Sequence, residues 1–536
     1  MKSVLLIGLA SFSAIALGQV YTVAGGVINT QTGSPMNRMR VSLNAAQGKS
    51  PAAIVTGEDG RFSFQVPKGR YGLTAETGGV RQAFGLEGPG IGFGVAILPG
   101  PGQDTSHLTF HWFPLGAITG TVTDDRDEPV ENALVQLIRA AVVGGRRRLN
   151  TISWARADDR GVYRFAPLLG GTYYLAVTAE PWYVTRNAYL RRPLSPDEPE
   201  PPSEPTPAYA TAYYPAASDL PSASPVIVKP GAEFHADFKL RTVNGVNIHV
   251  NCSNAAGRTG MLSLMADRVE GVAAPDGFQR QLSFYGQPQT IVGVPPGRYL
   301  VRIQGSGQNP FGVRKTIDVG TSDITVDLPI QPASTVKGKV SFANPAARRK
   351  SSMYVRLTND VTGVTQTRPV DADGSFFFNN VGTAKVRPLI VSTDGFFIAQ
   401  ATADGAPLKN GTFDIADAQA VTLDLVASDE IGHLKGLVMA GDSSVPGVLV
   451  VLAPATESSD PSKTHVFQTD SDGSFDWANV SAGDYVLFAI AQLDLEYLNP
   501  AAVRPYLALG KPIQVEAHHE YTERIGLSPL APLERR

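Results

Sequence analysis

The stretch Ile118-Thr-Gly120-Thr-Val122, followed by Asp159-Arg160-Gly161-Val162-Tyr163 and then by Gly171-Thr-Tyr173, decides the fold of this chain. Its first piece is a strand with a glycine in an apolar setting. The same piece occurs at Val23-Ala-Gly25-Gly-Val27, Val243-Asn-Gly245-Val, Val336-Lys-Gly338-Lys-Val340 and Leu434-Lys-Gly436-Leu-Val438. The glycines are separated by 95, 125, 93 and 98 residues, so one folding unit is copied in tandem. The second piece is a turn, repeated as Glu58-Asp59-Gly60-Arg61-Phe62, Ala372-Asp373-Gly374-Ser375-Phe376 and Ser471-Asp472-Gly473-Ser474-Phe475. It falls 35, 41, 36 and 37 residues after the opening glycine. An Asp-Gly pair before an alternating strand signals a hairpin, because glycine tolerates positive φ. The third piece is a turn ending in tyrosine, seen again at Pro67-Lys-Gly69-Arg-Tyr71, Pro296-Gly297-Arg-Tyr299 and Gly483-Asp-Tyr485.

The strands that follow these turns alternate, as in Phe62/Phe64/Val66 and Tyr299/Val301/Ile303, which predicts one buried and one solvated face. Each copy closes on a further strand, such as His107–Trp112, Glu233–Leu240, Ile324–Leu328 and Val421–Leu425. No long helical periodicity is present after the first twenty residues. The reading is all-β: a tandem array of about five β-sandwiches, each with enough chain for its own core. The third copy lacks a clear Asp-Gly turn. The fourth has Val386 where the tyrosine belongs, then Pro388, which weakens a strand.

This order of landmarks resembles the carboxypeptidase-regulatory-like domain, a Greek-key sandwich of the transthyretin/immunoglobulin-like kind related to collagen-adhesin B-type domains. The second copy carries the resemblance best, with Glu128-Pro129-Val130-Glu131-Asn132-Ala133-Leu134-Val135 between its first strand and its turn. The segment from Tyr213-Tyr214-Pro215 to Asp237-Phe-Lys-Leu240 resembles secreted multi-copy proteins of soil acidobacteria. The resemblance implies a module without catalytic residues. The repeat landmarks and the N-terminal apolar run divide the chain into a signal peptide (1–18) and sandwiches over 19–114, 115–242, 243–332, 333–429 and 430–536. Adhesin domains of this type can carry a Lys–Asn isopeptide bond. Lys337 and Lys435 lie in first strands, but the closing strands 421–425 and 521–527 contain no asparagine.

Residues 1–18 read as a secretory signal: Lys2, an apolar run from Val4 to Leu17, and the small-residue site Ala16-Leu-Gly18. The run is too short to span a membrane, and no cysteine follows for a lipid anchor. The expected location is secreted: periplasm, cell surface or extracellular space. Cys252 is the only cysteine, so no intramolecular disulfide forms, and it reads as a small buried apolar residue. A net charge of −3 argues against a broad nucleic-acid surface. The cluster Arg146-Arg147-Arg148 reads as a solvated hairpin tip.

The second copy departs from the period by an insert near 181–225. Seven prolines from Pro193 to Pro207 among acidic residues predict an extended, solvated stretch. Aromatics flank it. Trp182, Tyr183, Tyr209, Tyr213 and Tyr214 are the candidate ligand-binding residues, because flat rings on a loop suit sugar stacking. The competing reading is that these rings fold the insert back onto its own domain.

No catalytic constellation emerges. Asp371-Ala-Asp373-Gly374 and Asp470-Ser-Asp472-Gly473 begin like calcium loops, but their twelfth positions are Gly382 and Ser481 rather than glutamate. His107 and His111 sit on one face of a strand, about 13 Å apart, too far for one metal. His518 and His519 point to opposite faces. No nucleophile elbow or phosphate loop is found, and Gly90-Ile-Gly92-Phe-Gly94 has no helix after it. No metal or cofactor is expected. The function implied is a non-catalytic modular binding or structural protein of the cell envelope, carbohydrate-binding or adhesive, shaped as a rod. Its partners would be polysaccharide or cell-envelope proteins, with no nucleic acid and no transmembrane segment once the signal is removed. The alternatives are an accessory component of an outer-membrane or secreted system, or a hydrolase with an inter-domain site.

Overall fold

The structure, a computed structural model, describes residues 19–85, 94–182, 184, 206–266, 278–305, 311–344, 346, 352–360, 363–393, 395–456 and 461–529. The predicted signal peptide lies outside them, as do the glycines at 90 and 92. The chain is all-β, built from tandem sandwiches, and one eight-residue helix, Pro500–Leu507, stands out among the described strands. Two compact units are formed: residues 1–86 and 93–112 with Asp470–Asp472, and the remainder.

The first unit pairs a three-stranded sheet with a five-stranded one. In the smaller sheet Val20–Asn29 lies between Arg61–Pro67 and Leu108–Trp112. The larger runs Ile54–Val55, Arg40–Ala45, Tyr71–Thr77, Val80–Ala83, with Ala96–Ile97 on the free part of Tyr71–Thr77. The alternation Phe62/Phe64/Val66 is buried at each named residue and exposed between them.

The second unit repeats this plan four times. In every repeat the first strand pairs antiparallel with the strand after the turn and parallel with the closing strand. The closing strand thus returns from the far end of the repeat to lie beside the first. Each sandwich has its own core: Ile118, Leu137, Tyr163 and Phe238 in the second, Ile248, Leu264 and Phe284 in the third, Val355, Phe378 and Leu423 in the fourth, and Leu434, Val450 and Phe475 in the fifth.

The recurring glycine is explained by this pairing. A Cβ at Gly25, Gly120, Gly338 or Gly436 would collide with the backbone carbonyl of Leu108, Ala236, Leu423 or Glu523 on the closing strand. Across the antiparallel pair the same glycines face Phe62, Tyr163, Phe376 and Phe475, whose rings cover the bare backbone. The turn glycines have positive φ, from 68° at Gly60 to 88° at Gly374. Their carbonyls accept hydrogen bonds from Val27, Val122, Val340 and Val438, two residues beyond each repeat glycine. In the third repeat Gly286, with φ of 75°, stands at the turn without an aspartate.

The tyrosine landmark is a corner. The hydroxyls of Tyr71, Tyr173, Tyr299 and Tyr485 donate to the carbonyls of Pro67, Leu169, Pro295 and Ser481, each four residues upstream. In the fourth repeat Val386 fills the place with a buried side chain. Pro388 is tolerated there because Phe413–Ile415 covers only Ala384–Val386, leaving Pro388 with one neighbouring strand.

Candidate functional site

The insert of the second repeat is a joint. Thr206–Tyr209 pairs antiparallel with Thr242–Gly245, the opening of the third sandwich's first strand. Gly245 is required here, since a Cβ would lie 2.8 Å from the Thr206 carbonyl oxygen. Tyr209 meanwhile buries its ring in the core of the second sandwich. One short strand is therefore hydrogen-bonded to one domain and rooted in another. Glu180 pairs with Arg280 across the same boundary.

Four of the five candidate aromatics can be placed, and they do not converge on one surface. Tyr209 and Tyr213 are 6% and 5% exposed and offer no ring face to a ligand. Tyr213 belongs to a small second core with Ile138, Ala176 and Leu220, on the outer face of the sheet. Tyr214 stacks edge-on against Phe234 and Phe238. These three rings fold the insert onto its own domain because apolar ring area is worth more buried than solvated. Trp182 is 71% exposed. Tyr183 and the proline-rich stretch up to residue 205 lie outside the described residues.

The basic cluster is a contact and not a solvated tip. Arg147 reaches Asp494 at 3.1 Å and Glu496 at 3.3 Å, and Arg148 donates to the Asp360 carbonyl. The Leu498 amide donates to the Gly145 carbonyl at 2.9 Å. The second sandwich thus touches both the fourth and the fifth, so this unit is folded back and is not the extended rod the repeat period suggests. The partner loop leads into the helix Pro500–Leu507, capped by Asn499. That helix lays Val503 and Tyr506 over the fifth sandwich, with Tyr506 stacked 5.3 Å from Phe488.

The remaining sequence motifs stay structural. Asp373 accepts from the Ser375 amide, and Asp158 from Arg160 and Val162, so these carboxylates shape turns. Hydrogen bonds to the charged form hold Asp158 and Asp373 below the usual carboxylate range. Among the described residues no group of three or more His, Cys, Asp or Glu could hold a metal ion. Cys252 is half-buried against the third core, and burial raises its thiol pKa, which makes it a poor nucleophile. Lys435 pairs with Glu520, which raises the lysine and lowers the acid. His465 is half-buried, its ring against Trp477 and Tyr485, and desolvation lowers its pKa to about 4.

Among the described residues a concave feature has the dimensions of a ligand site. A groove of about 700 Å³ runs between the third and fourth sandwiches, within the range of about 300–1,000 Å³ usual for ligand pockets. Its floor is the outer face of Gly297–Gly305 and Phe311–Val319, where Arg302 lies directly opposite Arg314. Its far wall is the end of the fourth sandwich, with Gln366, Asn380, Thr383 and Asp417. Asp417 is 3.9 Å from Arg314 and accepts from the Thr383 hydroxyl. The groove was not legible as a site because its two sides are separated by about fifty residues and each reads as an ordinary polar face.

No family model matches the chain. Colossin-A of Dictyostelium discoideum is 24% identical over 236 residues, 37% of this chain, and the match spans only 2% of that protein's length. Among solved structures, the TIE protein of Bacillus anthracis is similar at 9% identity, covering 78% of this chain and 75% of its own, with a TM-score of 0.17. A streptococcal ancillary pilin aligns at 10% identity over 53% of this chain and 99% of its own, with a TM-score of 0.17. The minor pilin of Streptococcus agalactiae aligns at 14% identity over 38% of this chain and 100% of its own, with a TM-score of 0.18.

Proposed function

We propose that the chain is a secreted, non-catalytic modular protein of the cell envelope, a stiff scaffold whose specific activity is adhesion to carbohydrate. The observation that carries the reading is the joint. Thr206–Tyr209 is a strand of one sandwich and a core element of its neighbour, so the two cannot swivel without breaking a ladder and withdrawing a buried tyrosine. Chain beyond the repeat period is spent on fixing domains to each other, which suits spacing or holding. The groove between the third and fourth sandwiches is the place for the ligand, and exposed Trp182 is a second point of contact.

The test is limited proteolysis and small-angle scattering on the chain from residue 19, with an Ala208→Pro variant. Proline removes a backbone donor from the joint. The native second and third sandwiches are expected to survive as one fragment, and the variant to release them separately with a larger radius of gyration. Independent release from the native chain would refute the scaffold. Robust turnover of peptides or glycans, abolished by one acidic or histidine substitution, would refute the non-catalytic reading.

A further inference from the structure

We infer that the hairpin tip of the second sandwich, residues 144–148, is a salt-sensitive clasp that sets the opening of the groove between the third and fourth sandwiches. This rests on reading that groove as the place of the ligand and names its regulation. The first observation is the unequal strength of the junctions. The second and third sandwiches share the Thr206–Tyr209 ladder and the buried Tyr209 ring. The fourth and fifth are closely packed, since a Cβ on Gly395 would lie 2.6 Å from both Asn479 Oδ1 and Ile431 Cδ1. Among the described strands no ladder crosses from the third sandwich to the fourth. Pro332 still pairs with Phe311 of the third, and Ser334 already pairs with Val381 of the fourth, so Ala333 alone joins them. Beside it lie the groove and the partly exposed Arg314–Asp417 pair at 3.9 Å. The unit is therefore two stiff pairs of sandwiches, tethered at one residue.

The second observation is what spans the two pairs. Arg147 reaches Asp494 and Glu496 of the fifth sandwich, and the Gly145 carbonyl accepts from the Leu498 amide. Both carboxylates are held in place: Gln492 Nε2 donates to Asp494 at 2.9 Å, and Asn499 Nδ2 donates to Glu496 at 3.4 Å. Arg148 donates to the Asp360 carbonyl at 3.3 Å, and Arg387, buried in the fourth sandwich, anchors the Asp360 carboxylate. The adjacent Asn359, whose amide donates to the Val364 carbonyl, lines the groove together with Val364. The tip thus lands beside the groove's wall. Its grip is weak by construction. Arg147 is 46% exposed, Asp494 35% and Glu496 28%. Ion pairs this open to water are screened by salt, whereas a strand ladder or a buried ring is not. When the tip lets go, the two pairs stay tethered at Ala333 and the groove is free to widen.

The experiment is small-angle scattering with hydrogen exchange on the chain from residue 19. Salt is raised from about 0.01 M to about 1 M, over which the screening length falls from about 30 Å to about 3 Å. The native radius of gyration is expected to rise with salt, together with exchange at the Leu498 amide. Arg147→Glu is expected to be expanded already at low salt, with Leu498 exchanging about tenfold faster or more. Adding Asp494→Lys and Glu496→Lys to that variant is expected to restore the compact form. Ladder amides of Leu134–Val143 are expected to exchange as in the native chain throughout, which separates a released tip from an unfolded hairpin. A native radius indifferent to salt, an Arg147→Glu chain as compact as the native one, or no recovery with the charges swapped would overturn the inference. So would expansion that comes only with loss of the Leu134–Val143 ladder. In each case, second and third sandwiches that still resist proteolysis as one fragment would leave the scaffold standing.

Discussion

Replacing Gly338 by alanine tests the physical meaning of the repeat. A Cβ at this position would lie 1.8 Å from the Leu423 carbonyl oxygen and 2.6 Å from the Phe376 ring. Contacts to a real Cβ are essentially never under 3.0 Å, so the backbones must separate by more than 1 Å. The oxygen belongs to the parallel ladder that joins Thr335–Phe342 to Ala420–Ala427, and the ring is part of the buried core. Neither neighbour is the free end of a flexible side chain. Overpacking a close-packed interior costs about 1–3 kcal/mol. Two or three ladder hydrogen bonds stretched with it add about 1 kcal/mol each. A loss of about 3–5 kcal/mol is a large part of the ~5–15 kcal/mol that holds a typical domain. The fourth sandwich should then melt on the order of 15 °C lower. Calorimetry would read the shift. Hydrogen exchange would localise it to 334–342 and 420–428. Gly382→Ala is the control, since a Cβ there meets nothing within 4 Å, and its effect should stay within about 0.5 kcal/mol. If Gly338→Ala left the fourth sandwich's melting and protection unchanged, the close approach would not be the reason for the glycine.

Tyr485→Phe removes the hydroxyl bond to Ser481 and should cost about 1 kcal/mol in the fifth sandwich by denaturant titration. Burial raises the pKa of Tyr163, Tyr173, Tyr299 and Tyr485 above the ordinary value. The folded state holds those protons more tightly than the unfolded one, so stability should be full below about pH 10 and fall as pH rises above it, read by tyrosinate absorbance and circular dichroism together. His465 behaves in the opposite sense: with its pKa lowered from 6.5 to about 4, stability should be full above pH 6.5 and fall between 6.5 and 4, by about 3 kcal/mol in total. Its Nε2 has no partner, so His465→Phe should abolish that acid loss, and a variant as acid-sensitive as the native chain would refute the assignment. Gly145→Val should undock the hairpin tip, because φ is +77° and a Cβ would lie 2.5 Å from the Tyr497 ring, and faster hydrogen exchange at Leu498 is the readout.

The landmarks visible in the sequence turn out to be halves of single contacts. The repeat glycine and the aromatic after the turn face each other across one strand pair, as Gly436 and Phe475 do. The turn glycine and the valine two residues past the repeat glycine are joined by one hydrogen bond. Short-range and backbone-limited demands of this kind leave a spacing that survives sequence drift. The tyrosine corner is a side-chain demand, and a buried valine meets it in the fourth repeat, which is why that landmark could be lost. The helix Pro500–Leu507 did leave a signal, Asn499 followed by Pro500, but its eight residues are too few to show a period. The contacts of Arg147 and Arg148 left none, because a cation on a hairpin tip looks the same in sequence whether it meets water or Asp494.

The insert shows how composition can hide a structural element. Proline density points to an extended, solvated stretch, and Pro207 inside Thr206–Tyr209 argues against a strand. Yet this strand pairs on one side only, along Thr242–Gly245, and an edge tolerates a missing donor. Extended backbone is also the conformation proline prefers, so little ordering entropy opposes the pairing. The aromatics that suggested a sugar platform follow from the same need. A short edge strand gains few hydrogen bonds, so Tyr209, Tyr213 and Tyr214 hold the segment down by burying ring area. The period is broken where the second and third sandwiches are locked together.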